Sequence, residues 1–372
     1  MHKYQIVWTC GLDPSGYSSC ARNYCKALHA NGFDVKIDRK VVTLNLNGLG
    51  LGKTNELFLN DLISKPTSKP YVRIHHSVPD KFWIDRHAEK NIGYTVVETE
   101  EIPKRWVYFC NKMDAIFTAS NFCKDVFINN GITVPVYVIP HCLDIGIWNK
   151  NVKPIIFSNN TYPYKFLFSG DMTERKGFDE LLDVWNSIKK NNRASLTIKG
   201  YFSSFNLEDQ NKLKEKIKKR LKNDCNPVFF YGHCMSETII PRFYKSFDFI
   251  VSPHKGEGFG LIPFEGMALG VMPIITNATG SLEYSNKNNS ILINVEGKEK
   301  CSKKLYNINK DYENVELIKI DKNHLKSILE DIIYNNNYLQ VSNEEYNQFL
   351  NRFSYESISQ LINEKIYETI QT

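Results

Sequence analysis

The stretch Ser252-Pro-His-Lys-Gly-Glu257-Gly-Phe-Gly-Leu-Ile-Pro-Phe-Glu265-Gly-Met-Ala-Leu-Gly270 decides the fold. The apolar run Phe249–Ser252 that enters it reads as a short strand, a glycine-rich turn follows, and a helix begins near Leu261. Strand, tight turn and helix in that order put free backbone N–H groups and the positive end of a helix at the carboxyl edge of a parallel sheet, where a phosphate or diphosphate binds. Two glutamates bracket the turn with seven residues between them. Glu257 precedes the helix and Glu265 lies about one turn inside it, so both can face one site. Carboxylates there accept hydrogen bonds from vicinal hydroxyls such as those of a sugar and a ribose. Beside a phosphate a carboxylate is repelled unless it holds hydroxyls, so the mixture points to a sugar nucleotide.

These residues resemble the retaining glycosyltransferases of the GT-B fold, specifically the large family four, whose usual string is close to EGFGLPxLEAMAxGxPVI. The present chain reads Glu257-Gly-Phe-Gly-Leu-Ile-Pro-Phe-Glu265-Gly-Met-Ala-Leu-Gly-Val-Met-Pro273, and Gly280 and Glu283 fit the loop that follows. The resemblance implies donor contacts from Gly258, Phe259, Gly260, Leu261 and Glu265, with Glu257 catalytic.

A second strand, loop and helix start are written in Phe166-Leu-Phe-Ser-Gly170-Asp-Met-Thr-Glu-Arg175-Lys176-Gly177-Phe178. Arg175 and Lys176 are adjacent cations on that loop. Against a diphosphate, arginine offers a bidentate fork and lysine a mobile point charge. The family shows a comparable Lys-Gly, often with an arginine just after the strand-end glycine. Here that place, after Gly170, is Asp171, a departure that leaves either Arg175 to take over that arginine's role or the diphosphate contact to Lys176 alone.

The first half of the chain carries the acceptor side in this reading. Asn91–Trp106, Asp114–Phe122 and Val138–Asp144 are similar to a subgroup of the same family, with Cys142 where a glycine commonly follows Pro-His. The turn Gly11–Tyr17, with Gly16, follows the first strand and is placed to cover donor phosphates or acceptor. The family often has a histidine at the end of the strand read here as Tyr71–His75, which makes His75 and His76 candidates beside the donor sugar. Asp85, Glu98 and Glu100 are candidate acceptor contacts.

Outside these motifs, short apolar runs alternate with helical patterns: strands at Tyr4–Thr9, Asp34–Ile37, Val41–Leu46, Gly93–Val97, Ala115–Ala119 and Val136–Pro140, helices near Ser18–Asn31, Asn55–Ser64, Pro103–Met113 and Asn121–Asn130. The pattern repeats in the second half. Such alternation means βαβ units and parallel sheets. A length of 372 residues implies two domains of about 100–200 residues each. The Asn-, Lys- and Pro-rich segment Asn149–Tyr164 reads as the linker between them. The expected architecture is α/β, a GT-B pair of Rossmann-like doubly wound domains facing each other across a cleft. The expected boundaries are 1–152 for the acceptor side, 153–350 for nucleotide-sugar binding and 351–372 for a helix crossing back to the first domain.

Composition excludes several other classes. A hydrophobic fraction of 42% and a charged fraction of 24% are those of a globular chain. No apolar run approaches the length of a membrane span, and no signal peptide is read at the start. A net charge of +6 suits an anionic small ligand or weak attraction to an anionic membrane surface, not a nucleic-acid partner. Nine cysteines without a CxxC pair point to reduced, mostly buried thiols in a cytoplasmic protein. Gly48–Thr54 has one residue too few between its glycines for a phosphate-binding P-loop and reads as a surface loop. The basic run Lys212–Lys222 reads as a solvated helix face or, less favoured, a membrane contact.

The function expected is retaining transfer of a sugar from a nucleotide-diphosphate donor to a glycan, lipid-linked or protein hydroxyl, by front-face displacement with no metal and no cofactor. A sugar-nucleotide epimerase and a non-catalytic sugar-nucleotide-binding protein are the alternatives.

Overall fold

Runs rich in Val, Ile and aromatic residues form the strands, and several are buried along their whole length, as strands covered on both faces of a parallel sheet must be. The computed structural model describes residues 4–13, 15–39, 53–200, 207–232, 235–301 and 315–372. The chain divides into two compact units, one of Met1–Ile147, Ser236–Thr238 and Gln348–Thr372, the other of Trp148–Met235 and Ile239–Asn347.

The first unit holds β1 (Gln5–Cys10), β2 (Val35–Arg39), β3 (Tyr71–His76), β4 (Lys90–Tyr94), β5 (Ala115–Thr118) and β6 (Val136–Val138). They form one parallel sheet in the order β2-β1-β3-β4-β5-β6. The chain leaves β1 to one side for β2 and returns on the other side as β3, so the order reverses between β1 and β3. Helix α1 (Gly16–Ala30) follows β1 and is capped by Ser15, whose side chain accepts from the Ser18 N–H. Against α1 packs the last helix, Tyr355–Gln371. Tyr4 Oη donates to Asn363 Oδ1 at 2.8 Å, and Leu143 N to Phe353 O at 2.9 Å.

The second unit holds β7 (Tyr164–Ser169), β8 (Ala194–Lys199), β9 (Val228–Tyr231), β10 (Phe249–Ser252), β11 (Met272–Thr276) and β12 (Ile291–Ile293). The sheet order is β12-β11-β10-β7-β8-β9, again parallel. This is the Rossmann order, with its reversal between β7 and β10. Apolar clusters cover both faces, one built around Trp185, Phe166 and Ile198, the other around Phe243, Phe247 and Leu269.

The two Rossmann-like parallel sheets are those expected. Three local readings change. Residues 149–163 contain no helix or strand, yet they are not a free linker: Val152, Ile155 and Phe157 pack into the second unit's core. An antiparallel hairpin, β13 (Val295–Lys300) with β14 (Glu316–Ile320), was not foreseen. Nor were the helices Lys322–Glu330 and Asn343–Arg352. The expected strand Val41–Leu46 and the glycines of Gly48–Gly52 lie outside the described residues.

Candidate active site

Two loops meet at the reversal of the second sheet. One follows β7, the other follows β10. After β7 the chain turns at Gly170, with φ +134°, and makes a single 3₁₀ turn over Glu174–Lys176. Gly177 ends that turn with φ +64°, and a Cβ added there would lie 1.8 Å from Pro253 O. The β7 loop can press against the β10 loop because this residue has no side chain.

This contact sets the three expected charged residues together. Lys176 Nζ donates a hydrogen bond to Glu257 Oε1. Arg175 Nη1 donates to Gly256 O at 2.7 Å and lies 3.4 Å from Glu257 Oε2. Glu257 is buried, with 6% of its surface exposed. Burial alone would raise its pKa, but Lys176 and Arg175 outweigh it and hold the carboxyl at about 2. Glu257 is therefore ionised at neutral pH and accepts hydrogen bonds only. Two cations and one anion leave the cluster with a net charge of +1, beside the first turn of α8 (Leu261–Ala268).

The β10 loop is fixed from behind. Gly280 N donates to Glu257 O at 2.8 Å, and a Cβ on Gly280 would lie 2.0 Å from Gly258 O. Tyr284 Oη donates to Gly260 O at 2.8 Å. Phe259 is buried and packs edge-on to Phe264, so its side chain serves the core and only its backbone remains for a ligand. Leu261 and Glu265 are half-buried on the first turns of α8, and Gly170 and Gly258 are buried. Two residues were not singled out from the sequence. His254 is fully buried, with Nδ1 3.0 Å from Ser252 O and Nε2 3.1 Å from Ser281 Oγ. Lys255 sits among three glutamates. The spacing before Glu257 carried no signal for either.

In the first unit a pocket of about 230 Å³ lies at the reversal between β1 and β3. Thr9, Gly11, Tyr17, His75 and His76 contribute to its lining. Successive strand residues point to opposite faces, so the two histidines have different surroundings. His76 Nδ1 accepts from Trp8 Nε1 at 3.3 Å, and its ring stacks on Tyr94 at 4.3 Å. Its pKa is driven well below 6.5, by burial first and by His141 second. His75 lies edge-on to Trp83, with Nε2 3.4 Å from Asn91 Oδ1. Gly16 opens α1 and is exposed.

Asp85, expected as an acceptor contact, is held within the first unit. Its Oδ2 accepts from Arg73 Nε at 2.6 Å and Tyr71 Oη at 2.8 Å, and its Oδ1 accepts from His87 N at 2.9 Å. Burial raises its pKa, but these bonds win and lower it. Both oxygens accept bonds from within the first unit. Glu98 and Glu100 are exposed on the loop after β4.

Residues 151–322 match the family described as glycosyl transferases group 1. The Methanocaldococcus jannaschii protein described as uncharacterized glycosyltransferase MJ1178 is 30% identical over 139 residues, 37% of this chain and 35% of that protein. The lipopolysaccharide core biosynthesis mannosyltransferase LpsB of Rhizobium meliloti is 38% identical over 72 residues, 19% of each. The chain thus matches about a third or less of the length of these curated relatives. Among solved structures, a glycosyltransferase from Rickettsia africae superposes with a TM-score of 0.68 at 18% identity, covering 100% of both chains. Anabaena Alr3699/HepE in complex with UDP-glucose superposes with a TM-score of 0.68 at 13% identity, covering 98% of this chain and 99% of that one. The segment 151–322, which holds the Arg175–Lys176–Glu257 cluster, matches the glycosyl transferases group 1, and the two parallel sheets match the architecture of GT-B glycosyltransferases.

Proposed function

We propose that the protein is a retaining glycosyltransferase that moves a hexose from a nucleotide-diphosphate sugar to a hydroxyl of a glycan, a lipid-linked sugar or a protein. The observation that carries this reading is the cluster of Lys176, Arg175 and Glu257. It stands where the second sheet reverses its order, at the first turn of a helix, inside the segment that matches group 1.

In the proposed reaction the acceptor hydroxyl attacks the anomeric carbon on the leaving-group side. The bond from that carbon to the diphosphate oxygen breaks, and the hydroxyl proton passes to the departing phosphate. Lys176, Arg175 and the start of α8 balance the negative charge that grows on the diphosphate. Glu257, ionised, holds a donor hydroxyl and fixes the sugar for attack. His75 and His76 are placed beside the donor sugar, and the exposed Glu98 and Glu100 are kept as acceptor contacts. Two cations at the leaving group make a metal unnecessary in this scheme. We place the reaction in the cytoplasm, with the exposed lysines of α6 (Leu207–Arg220) available for weak contact with an anionic membrane face. Among the described residues no helix is long and apolar enough to cross a membrane.

The test is a thermal-shift screen of UDP-, GDP- and ADP-sugars followed by product analysis. UDP-glucose is tried first because the similarly folded HepE binds it. One donor should raise Tm by mass action. Transfer should give a product with the donor's anomeric configuration and should survive a chelator. An epimerised sugar nucleotide would favour the alternative enzyme, and no response to any donor would remove the assignment.

A further inference from the structure

Lys255 lies two residues before Glu257 and is 3% exposed, and its ammonium pairs with carboxylates other than Glu257. It is surrounded by carboxylates from three different elements. Its Nζ is 3.0 Å from Glu180 Oε1 on α5 (Phe178–Ser187) and 3.6 Å from Glu174 Oε1 on the 3₁₀ turn, and it also pairs with Glu299 on β13. Its backbone is held as well. Lys255 N donates to Arg175 O at 2.7 Å, and Lys255 O accepts from Ile318 N of β14 at 2.9 Å.

The arrangement has a consequence for the adjacent cations. Glu174 and Arg175 are neighbours on one turn, and Glu180 begins three residues beyond Gly177. Glu174 adjoins Arg175 in the chain, Glu180 and Glu299 converge with it on one lysine, and like charges gathered without a counter-ion repel one another. One buried lysine engages all three acids. Bonding of this kind outweighs the opposing effect of burial and keeps the ammonium charged.

We propose that Lys255 is a positioning residue for the donor site: by neutralising Glu174, Glu180 and Glu299 it keeps Arg175 and Lys176 available to a diphosphate. The same contacts make the β13–β14 hairpin a brace for the loop that carries those cations. The inference rests on the nucleotide-sugar reading of the site.

Titration calorimetry with inorganic pyrophosphate, which is blind to the donor base, and with UDP-glucose tests it. Lys255→Met should weaken pyrophosphate binding about tenfold or more, since Glu180 and Glu299 then lose this buried counter-ion and their charge opposes that of the ligand. Lys255→Arg should bind as the wild type does. The triple variant K255M/E180Q/E299Q, with most of that negative charge removed, should recover to within about threefold of wild type. Recovery separates positioning from direct contact: a lysine that touched the diphosphate itself would not be replaced by neutral glutamines. If Lys255→Met does not fold, K255M/E180Q takes its place and should bind at least about threefold more weakly than the triple variant. Unchanged binding in Lys255→Met, equal binding by the double and triple variants, or a triple variant that stays weak overturns the inference while leaving the donor site intact. Absence of binding of either probe by the wild type removes the function reading and this inference together.

Discussion

The Lys176 ammonium and the Glu257 carboxylate, 81 residues apart in the chain, are joined by a hydrogen bond at the reversal point of the second sheet. Neither residue has any local reason to be near the other. Gly177, packed on Pro253 O, brings their loops together. Glu257→Gln keeps the size of the side chain and removes its charge. Transfer should fall by at least about a hundredfold, the scale on which loss of the reacting geometry costs rate. Far-UV circular dichroism should not change. A glutamine variant with full activity would sink the assignment of this site.

Lys176→Ala addresses the other half of the pair. If Lys176 stabilises the leaving diphosphate, kcat should drop by about 10²-fold or more while acceptor KM stays near its wild-type value. An unchanged kcat would shift that role to Arg175, whose own substitution should then show the loss.

Acid should weaken the first unit before it reaches the carboxylates. Burial holds His141 at about 3 and His76 well below 6.5, so the native protein keeps both neutral while the unfolded chain protonates them near 6.5. The unfolded state therefore binds more protons between about pH 6.5 and 3, and stability is lost as pH falls through that window. Each unit of depression corresponds to about 1.4 kcal/mol. Tm followed from pH 7.5 to 4.5 should decline steadily, and His141→Gln should flatten the decline. A Tm independent of pH over that range would contradict the burial of these imidazoles.

Gly280→Ala tests the support behind Glu257. The new methyl would lie 2.0 Å from Gly258 O, so the turn must move. Donor affinity should fall about tenfold or more and Tm should drop by several degrees, in line with a strained, overpacked site. A variant indistinguishable from wild type in both would show that the turn has slack.

The strand β10 was readable to the residue, because it is a short apolar run closed off by Pro253. The Glu257 turn was readable because its glycines and its helix start are local. The hairpin strand Val295–Lys300 was not, since VEGKEK has almost no apolar residue and is exposed nearly throughout. Charge partners were likewise invisible: nothing near Asp85 in the chain announces Arg73, and nothing near Lys255 announces Glu299, because these pairs are made by tertiary packing. The divergence of His75 and His76 follows from the strand pleat, but the stacking of His76 on Tyr94 depends on the register of β3 with β4.

The helix Tyr355–Gln371 closes the first unit from the far end of the sequence, through Tyr4 to Asn363 and Tyr355 to Asn23. Synthesis therefore delivers the two units out of step. The second can close once Asn347 has emerged, whereas the unit begun first must wait for Gln348–Thr372 with the α1 face still uncovered. A chain stopped after Asn347 should bind a hydrophobic dye and be digested first within residues 1–147, and a permuted chain that begins at Gln348 and runs on into residue 1 should gain that unit early on the ribosome.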